Sequence, residues 1–297
     1  MLEIIIDCVL DSLKMLPFIF LTYVLIEFIE RKAEFAKNGR FLTGKAAPVL
    51  GSLAGAFPQC GISVMSAKLY EKGFIGVGTL FSVFIATSDE AFSILISSPK
   101  RLDLIPLLII KILLGIIIGE ILNLAFGKKT VAENENFDHE DICAHCHDHD
   151  TENPNAKHAW VKQFLIIPLL HSLQTFAYVF VVMLAFGILF ADGGLIGTEK
   201  LSAFLESSKY FAPLLTALIG LIPNCASSAV ITSAYVSGAI SFGAMTAGLI
   251  SNAGVGLAVL FKNTGKTKRN LLIAAGLYLI GAVTGIIISV LLSVITI

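Results

Sequence analysis

Eight stretches of the chain, 4–29, 46–70, 74–98, 104–126, 161–191, 210–236, 239–261 and 270–296, are apolar over about the length that carries a helix across a bilayer, roughly 20 residues. This constrains the fold more than any other feature. Inside hydrocarbon a chain must satisfy its own backbone hydrogen bonds, and an apolar segment does so as a helix. Composition agrees. Charged residues make up 14% of the chain, where a soluble domain carries about 25%, so much of the surface must face lipid. The expected fold is an all-α polytopic protein of the plasma membrane, crossing it many times. A net charge of −1 argues against a nucleic-acid partner. The start, MLEIIIDCVLDSLK, has no basic leader, and Asp7 and Asp11 interrupt its apolar run. The first segment therefore reads as a retained span and not as a secretory signal.

A polar stretch at 127–160 divides the chain into an N-terminal repeat, 1–126, and a C-terminal repeat, 161–297. The stretch has almost no apolar content and reads as a flexible loop. The flanking halves resemble each other at an offset of 165. GAFPQCGISVMSAKLYEKGFIGVG from Gly55 lies over GLIPNCASSAVITSAYVSGAISFG from Gly220, pairing Pro58 with Pro223, Cys60 with Cys225, Tyr70 with Tyr235, and Gly55, Gly73 and Gly78 with Gly220, Gly238 and Gly243. A weaker echo sets DSLKMLPFIF against HSLQTFAYVF, placing Asp11 opposite His171.

Pro58 and Pro223 lack the amide donor that an unbroken helix needs, and Gly55, Gly61 and Gly220 add local freedom. Each repeat segment is expected to break near its middle into half-helices of about ten residues, too short to cross a bilayer. Freed backbone must line a cavity and not face lipid, and paired interruptions in two halves mark a substrate site in secondary transporters. Two topologies fit. Either each broken segment crosses the membrane, giving a parallel repeat, or each is a re-entrant hairpin, giving an inverted repeat. The basic loops 30–45 and 262–269 are cytoplasmic in both. The inverted form, in which loop 127–160 is also cytoplasmic, is the expectation, although it places Lys100 and Arg101 outside.

The breaks carry the candidate site. A thiolate at Cys60 or Cys225 is a soft metal ligand that pseudo-symmetry would bring to its twin; a lone buried Cys otherwise packs as a small apolar residue. Gln59, Ser63, Asn224, Ser227 and Ser228 set oxygen ligands beside them. Asp89 and Glu90 lie inside 74–98, and buried carboxylates in a span point to function. They suit a hard divalent cation, or a proton exchanged for one; the alternative puts Asp89 at a helix end at the interface. The second half offers Ser251 and Asn252 at this level, with no acid. Asp7 and Asp11 line either a pathway vestibule or an interfacial polar face; His171 is either a packing residue or, paired with Asp11, part of the pathway, to which Asn252 is also assigned.

The loop motif HEDICAHCHDHD, with Asp138 just before it, sets His139, Cys143, His145, Cys146, His147 and His149 among five acids. That density suits a transition-metal collector or sensor; the alternative is a solvated acidic linker. The cysteine count is five, odd and without a disulfide pattern. No Gly-x-x-x-x-Gly-Lys-Ser/Thr loop, Asp-Lys-Thr-Gly, His-Glu-x-x-His or Gly-x-Ser-x-Gly sequence occurs, so neither a built-in ATPase nor an intramembrane hydrolase is indicated.

AGAFPQCGISVMSAKLY and GLIPNCASSAVITSAYVSG, with the His-rich loop between them, resemble the bacterial ten-span heavy-metal exporter family, whose members are labelled arsenic efflux proteins or manganese transporters. The resemblance covers essentially the whole chain. PQCG at 58–61 is also similar to a wider arsenical permease family with a Pro-x-Cys-x-Cys-Gly motif, of which one cysteine is missing here. The expected function is a secondary transporter exporting a divalent cation such as Mn2+ by alternating access, and not an enzyme. No cofactor is built in; a transported or loop-bound metal ion is expected. The expected partners are the bilayer, the metal or metalloid, protons as coupling ion, and a second copy in a homodimer. Arsenite or organoarsenical efflux, a membrane metal sensor, and an anion or small-solute carrier are the alternatives.

Overall fold

The computed structural model describes residues 46–126, 211–262 and 264–295, with Gly44 and scattered positions within 13–24 and 169–184. Among them all regular structure is helical. The first half contains α1 (Ala47–Gly55), α2 (Cys60–Glu71), α3 (Val77–Ala86), α4 (Asp89–Ser97), a 3-10 turn (Arg101–Asp103) and α5 (Leu104–Phe126). The second contains α6 (Ala212–Gly220), α7 (Cys225–Val236), α8 (Phe242–Ser251), α9 (Val255–Phe261), a 3-10 turn (Thr264–Lys266) and α10 (Thr267–Ile295). Adding 165 to the bounds of α1, α2 and α3 gives those of α6, α7 and α8.

Local chemistry explains the shared bounds. Pro48 and Pro213 sit in the first turns of α1 and α6, where no amide donor is needed. The Gly73 and Gly238 pair ends α2 and α7 in the left-handed conformation, φ 76° and 86°. There Gly73 N–H donates to Tyr70 O and Phe74 N–H to Leu69 O, while Gly238 N–H donates to Tyr235 O and Ala239 N–H to Ala234 O. This is the same Schellman cap twice.

Gly55 and Gly220 act through contact, and not through the backbone freedom expected of them. A Cβ on Gly55 would lie 2.5 Å from Val83 O, and one on Gly220 would lie 2.1 Å from Gly248 O. Small residues let helices approach closely where hydrocarbon supplies no hydrophobic driving force. Gly78, Ser82, Gly115 and Gly119 form the seam between α3 and α5, and Gly243, Ala247, Gly281 and Gly285 form its counterpart between α8 and α10.

These contacts set directions. Gly51 lies beside Thr79, and Gly55 beside Val83 and Ala86, so α1 and α3 run parallel. Pro48 and Gly78 both meet Gly119. Positions 48 and 78 therefore stand at one level, and the chain between them goes out along α1 and returns along α2. α5 runs back along both: Gly119 meets Gly78, and Gly115 meets Ser82 and Ser52. The second half repeats this, with Gly220 against Gly248 and Ser251, and Gly285 against Gly243. Within it, α8 packs on α6 and α10 as α3 packs on α1 and α5.

The halves exchange elements. α2 packs on α9, and α7 on α4. α3 and α8 are central and almost wholly buried, whereas α5 turns Ile105, Ile109, Leu113, Ile117 and Ile121 outward at i, i+4 spacing. Among the described residues, four segments are long and apolar enough to cross a membrane: Val77–Ser97, Arg101–Phe126, Phe242–Phe261 and Thr267–Val294.

Two of these correct an expectation. Segments 74–98 and 239–261 are not continuous helices; the first breaks between Ala86 and Asp89, the second between Ser251 and Val255. No proline marks either break. Thr87 leaves the helix at ψ 128°, and Gly254 takes φ 54°, a conformation that favours glycine.

Candidate transport site at the helix breaks

Four short helices begin inside the protein: α2 and α7 after Pro-x-Cys, and α4 and α9 after the unmarked breaks. Side-chain contacts fix how they pair. Gly256, at the start of α9, stands against Ser63 O in the first turn of α2. At the other end of this pair Arg269 covers the Tyr70 ring at 4.7 Å. α2 and α9 therefore run parallel, with their N-termini together. The twin pair ends with Tyr235 Oη donating to Asp103 Oδ2 at 2.6 Å, and with Lys100 Nζ donating to Tyr235 O at 2.7 Å and covering its ring at 4.1 Å. α4 and α7 are thus parallel as well, and their starts, at Asp89–Glu90 and Asn224–Ser228, share a level.

Around α7 the polar residues satisfy one another. Asn224 caps the helix through Oδ1, which accepts the Ala226 N–H at 3.3 Å. Ser227 Oγ donates to Asn224 O at 2.7 Å. Asn224, Ser227 and Ser228 are all buried. In the first half Gln59 holds the equivalent N-cap position without a side-chain cap bond and is half-buried, while Ser63 is fully buried. Asn252 is buried at the second unmarked break, where its Oδ1 accepts the Gly254 N–H at 2.8 Å. Glu90 is half-buried in the first turn of α4. Asp89 opens α4, inside the apolar segment Val77–Ser97.

Pro58 and Pro223 lie in the links 56–59 and 221–224, outside any helix. The side chains of Cys60, Asp89 and Cys225 lie outside the described residues, as do Asp7, Asp11, His171 and the loop positions His139, Cys143, His145, Cys146, His147 and His149. Among the described residues no three His, Cys, Asp or Glu side chains come together as a metal cluster. The donors that are described are amide, hydroxyl, carboxylate and main-chain oxygens.

Sequence reasoning missed Lys111. It is fully buried in the middle of α5. Its Nζ donates to Thr87 O at the α3–α4 break and, at 2.8 Å, to Leu249 O in the last turn of α8. One ammonium thus ties the break of the first half to the second half. The available signal was a lone cation inside an apolar helix, which is functional by default.

The family model described as "Putative, 10TM heavy-metal exporter" matches residues 1–192 and 171–295. No curated protein and no solved structure matches the chain. Apolar helices, buried breaks at 87–88 and 252–254, and a family match spanning both halves agree, and the chain belongs to this heavy-metal exporter family of membrane proteins.

Proposed function

We propose that the chain is a secondary transporter that exports a divalent metal ion of the Mn2+ class, with its cargo site where the four half-helices begin. The observation that carries this is the reciprocal packing of α2 on α9 and α4 on α7. It collects oxygen donors from both halves around interrupted backbone, the arrangement that secondary transporters use near the bilayer midplane. Glu90 and Asp89 supply the charge that a hard divalent ion requires, with Gln59, Ser63, Asn224, Ser227, Ser228 and Asn252 as neutral oxygens. Protons are the proposed counter-ion.

The proposed repeat is inverted, with re-entrant hairpins at α1–α2 and α6–α7. Tyr70 ends a hairpin at the level where α1 and α3 begin, yet it meets Arg269 at the start of α10. In the mirrored contact, Tyr235 meets Asp103 at the start of α5. Each half therefore places its base against the top of the other, as opposed orientations require. At the Tyr70 end lie Lys68, Lys72, Lys262, Lys266, Lys268 and Arg269 with Glu71; at the Tyr235 end lie Lys100 and Arg101 with Asp103. Among the described residues, six basic side chains against two favour the Tyr70 end as the proposed cytoplasmic face of the plasma membrane. Burial pushes the Lys262 amine below its usual range there, and the nearby Lys68 charge lowers it further. Lys100, the apparent exception to the charge rule, is engaged with Tyr235. Alternating access would then be rocking of one bundle, α1–α3–α5, against the other, α6–α8–α10.

A second reading, arsenite or organoarsenical efflux, draws on Cys60 and Cys225 opening the two hairpin return helices. Metal and arsenite tolerance of cells carrying Asp89→Asn/Glu90→Gln or Cys60→Ser/Cys225→Ser separates the two. Loss of manganese tolerance in the carboxylate variant with the thiol variant intact is the expected result. Wild-type tolerance in both, at normal expression, overturns both readings.

A further inference from the structure

Lys111 is fully buried at a place where transporters commonly hold a loose ion. Thr87 O belongs to the interrupted backbone after α3, and Leu249 O to the last turn of α8. Both are carbonyls that a continuing helix would have used. Freed carbonyls at broken helices, with half-helix C-termini, are the groups that coordinate Na+ in many secondary transporters. They carry the negative end of the helix dipole and attract a cation. Here a tethered ammonium holds them.

The position is not duplicated. Gly115 and Gly281 occupy equivalent places in the two seams, so the counterpart of Lys111 is Leu277, also fully buried. A lysine needed only to fill space would have tolerated an apolar residue, as its twin does. The single ammonium instead contacts both halves at once.

We propose that Lys111 is a built-in substitute for a coupling cation, occupying a cation site formed by the Thr87 and Leu249 carbonyls, so that transport proceeds without sodium. This rests on the transporter reading for its role in the cycle, but the site itself does not. Lys111 is a positioning residue: it acts through the backbone of the break that presents Asp89 and Glu90.

The test uses purified full-length protein in detergent, with its melting temperature read in choline chloride, sodium chloride and ethylammonium chloride at equal ionic strength. Wild type and Lys111→Arg melt at the same temperature in all three. Lys111→Ala melts lower in choline and recovers in ethylammonium, which replaces the lost cation. A site of ~10 mM affinity raises Tm by about 3–6 °C at 100 mM ligand. Stabilisation of wild type by sodium over choline overturns the proposal whether or not the variants fold. So does a folded Lys111→Ala protein that responds to neither sodium nor ethylammonium. In liposomes loaded with manganese, flux through wild type is equal in choline and sodium. Flux that requires sodium keeps the transporter reading and overturns this one. Absence of metal flux with an intact ethylammonium response does the reverse.

Discussion

Replacing Gly78 by alanine tests the seam that positions the breaks. A Cβ at Gly78 would stand 2.2 Å from Gly119 O and 2.9 Å from Asn123 N, both main-chain atoms of α5. Neither can rotate away, so α3 and α5 must part. Overpacking of this kind costs about 1–3 kcal/mol, and a backbone-to-backbone clash belongs in the upper part, about 2–3 kcal/mol. At roughly 2–4 °C per kcal/mol, Tm falls by about 4–12 °C. Gly76→Ala is the control two residues away. Its Cβ would meet only Asn123 Oδ1, at 3.3 Å, on a side chain that can move. There the weaker N-cap preference of alanine offsets the reduced entropy of the unfolded chain, and the change stays within about 0.5 kcal/mol. Gly243→Ala, the repeat partner, would press on Ser289 Oγ at 2.2 Å and Gly285 O at 2.6 Å and should behave like Gly78→Ala. Thermostability by fluorescence-detected size exclusion distinguishes the three. Equal losses for Gly76→Ala and Gly78→Ala, or a neutral Gly78→Ala, would refute the reasoning.

Three further outcomes follow from the same geometry. Tyr235→Phe removes the bond to the Asp103 carboxylate and should cost about 1.5–3 kcal/mol, read as a lowered Tm; Tyr70→Phe keeps its ring under Arg269 and should cost less. α5 ends on the face shared by Gly44 and Gly76, where Asn123 Nδ2 donates to Gly44 O, so the loop that follows leaves on the proposed cytoplasmic side. An impermeant maleimide applied to intact cells should therefore leave Cys143 unlabelled, and labelling there would reverse the assigned orientation. Deleting residues 134–150 should reduce metal flux without abolishing it, whereas complete loss of response would favour a sensor.

The duplication was legible because it uses residues with strong local rules. Proline at 58 and 223 interrupts a helix whatever surrounds it, and the Gly73 and Gly238 match follows from a cap that needs positive φ. The breaks at 87–88 and 252–254 were not legible. They contain no proline, and they depend on partners distant in sequence: Lys111 holds Thr87 O from 24 residues away and Leu249 O from 138. Nothing local in Tyr70 says that it meets Arg269, or in Tyr235 that it meets Asp103; those pairs exist only once the halves are packed. Gly55 and Gly220 were recognised as special for the wrong reason, since a close approach and a flexible joint both call for glycine.

The most direct test of the central claim is flux into proteoliposomes of the purified full-length protein, measured with Mn2+, other divalent metals, arsenite and a set of anions under an imposed proton gradient. The account predicts gradient-driven Mn2+ movement that Glu90→Gln abolishes and Cys60→Ser/Cys225→Ser preserves. Arsenite or anion movement without any divalent-metal flux, or Mn2+ flux unchanged by Glu90→Gln, would contradict it.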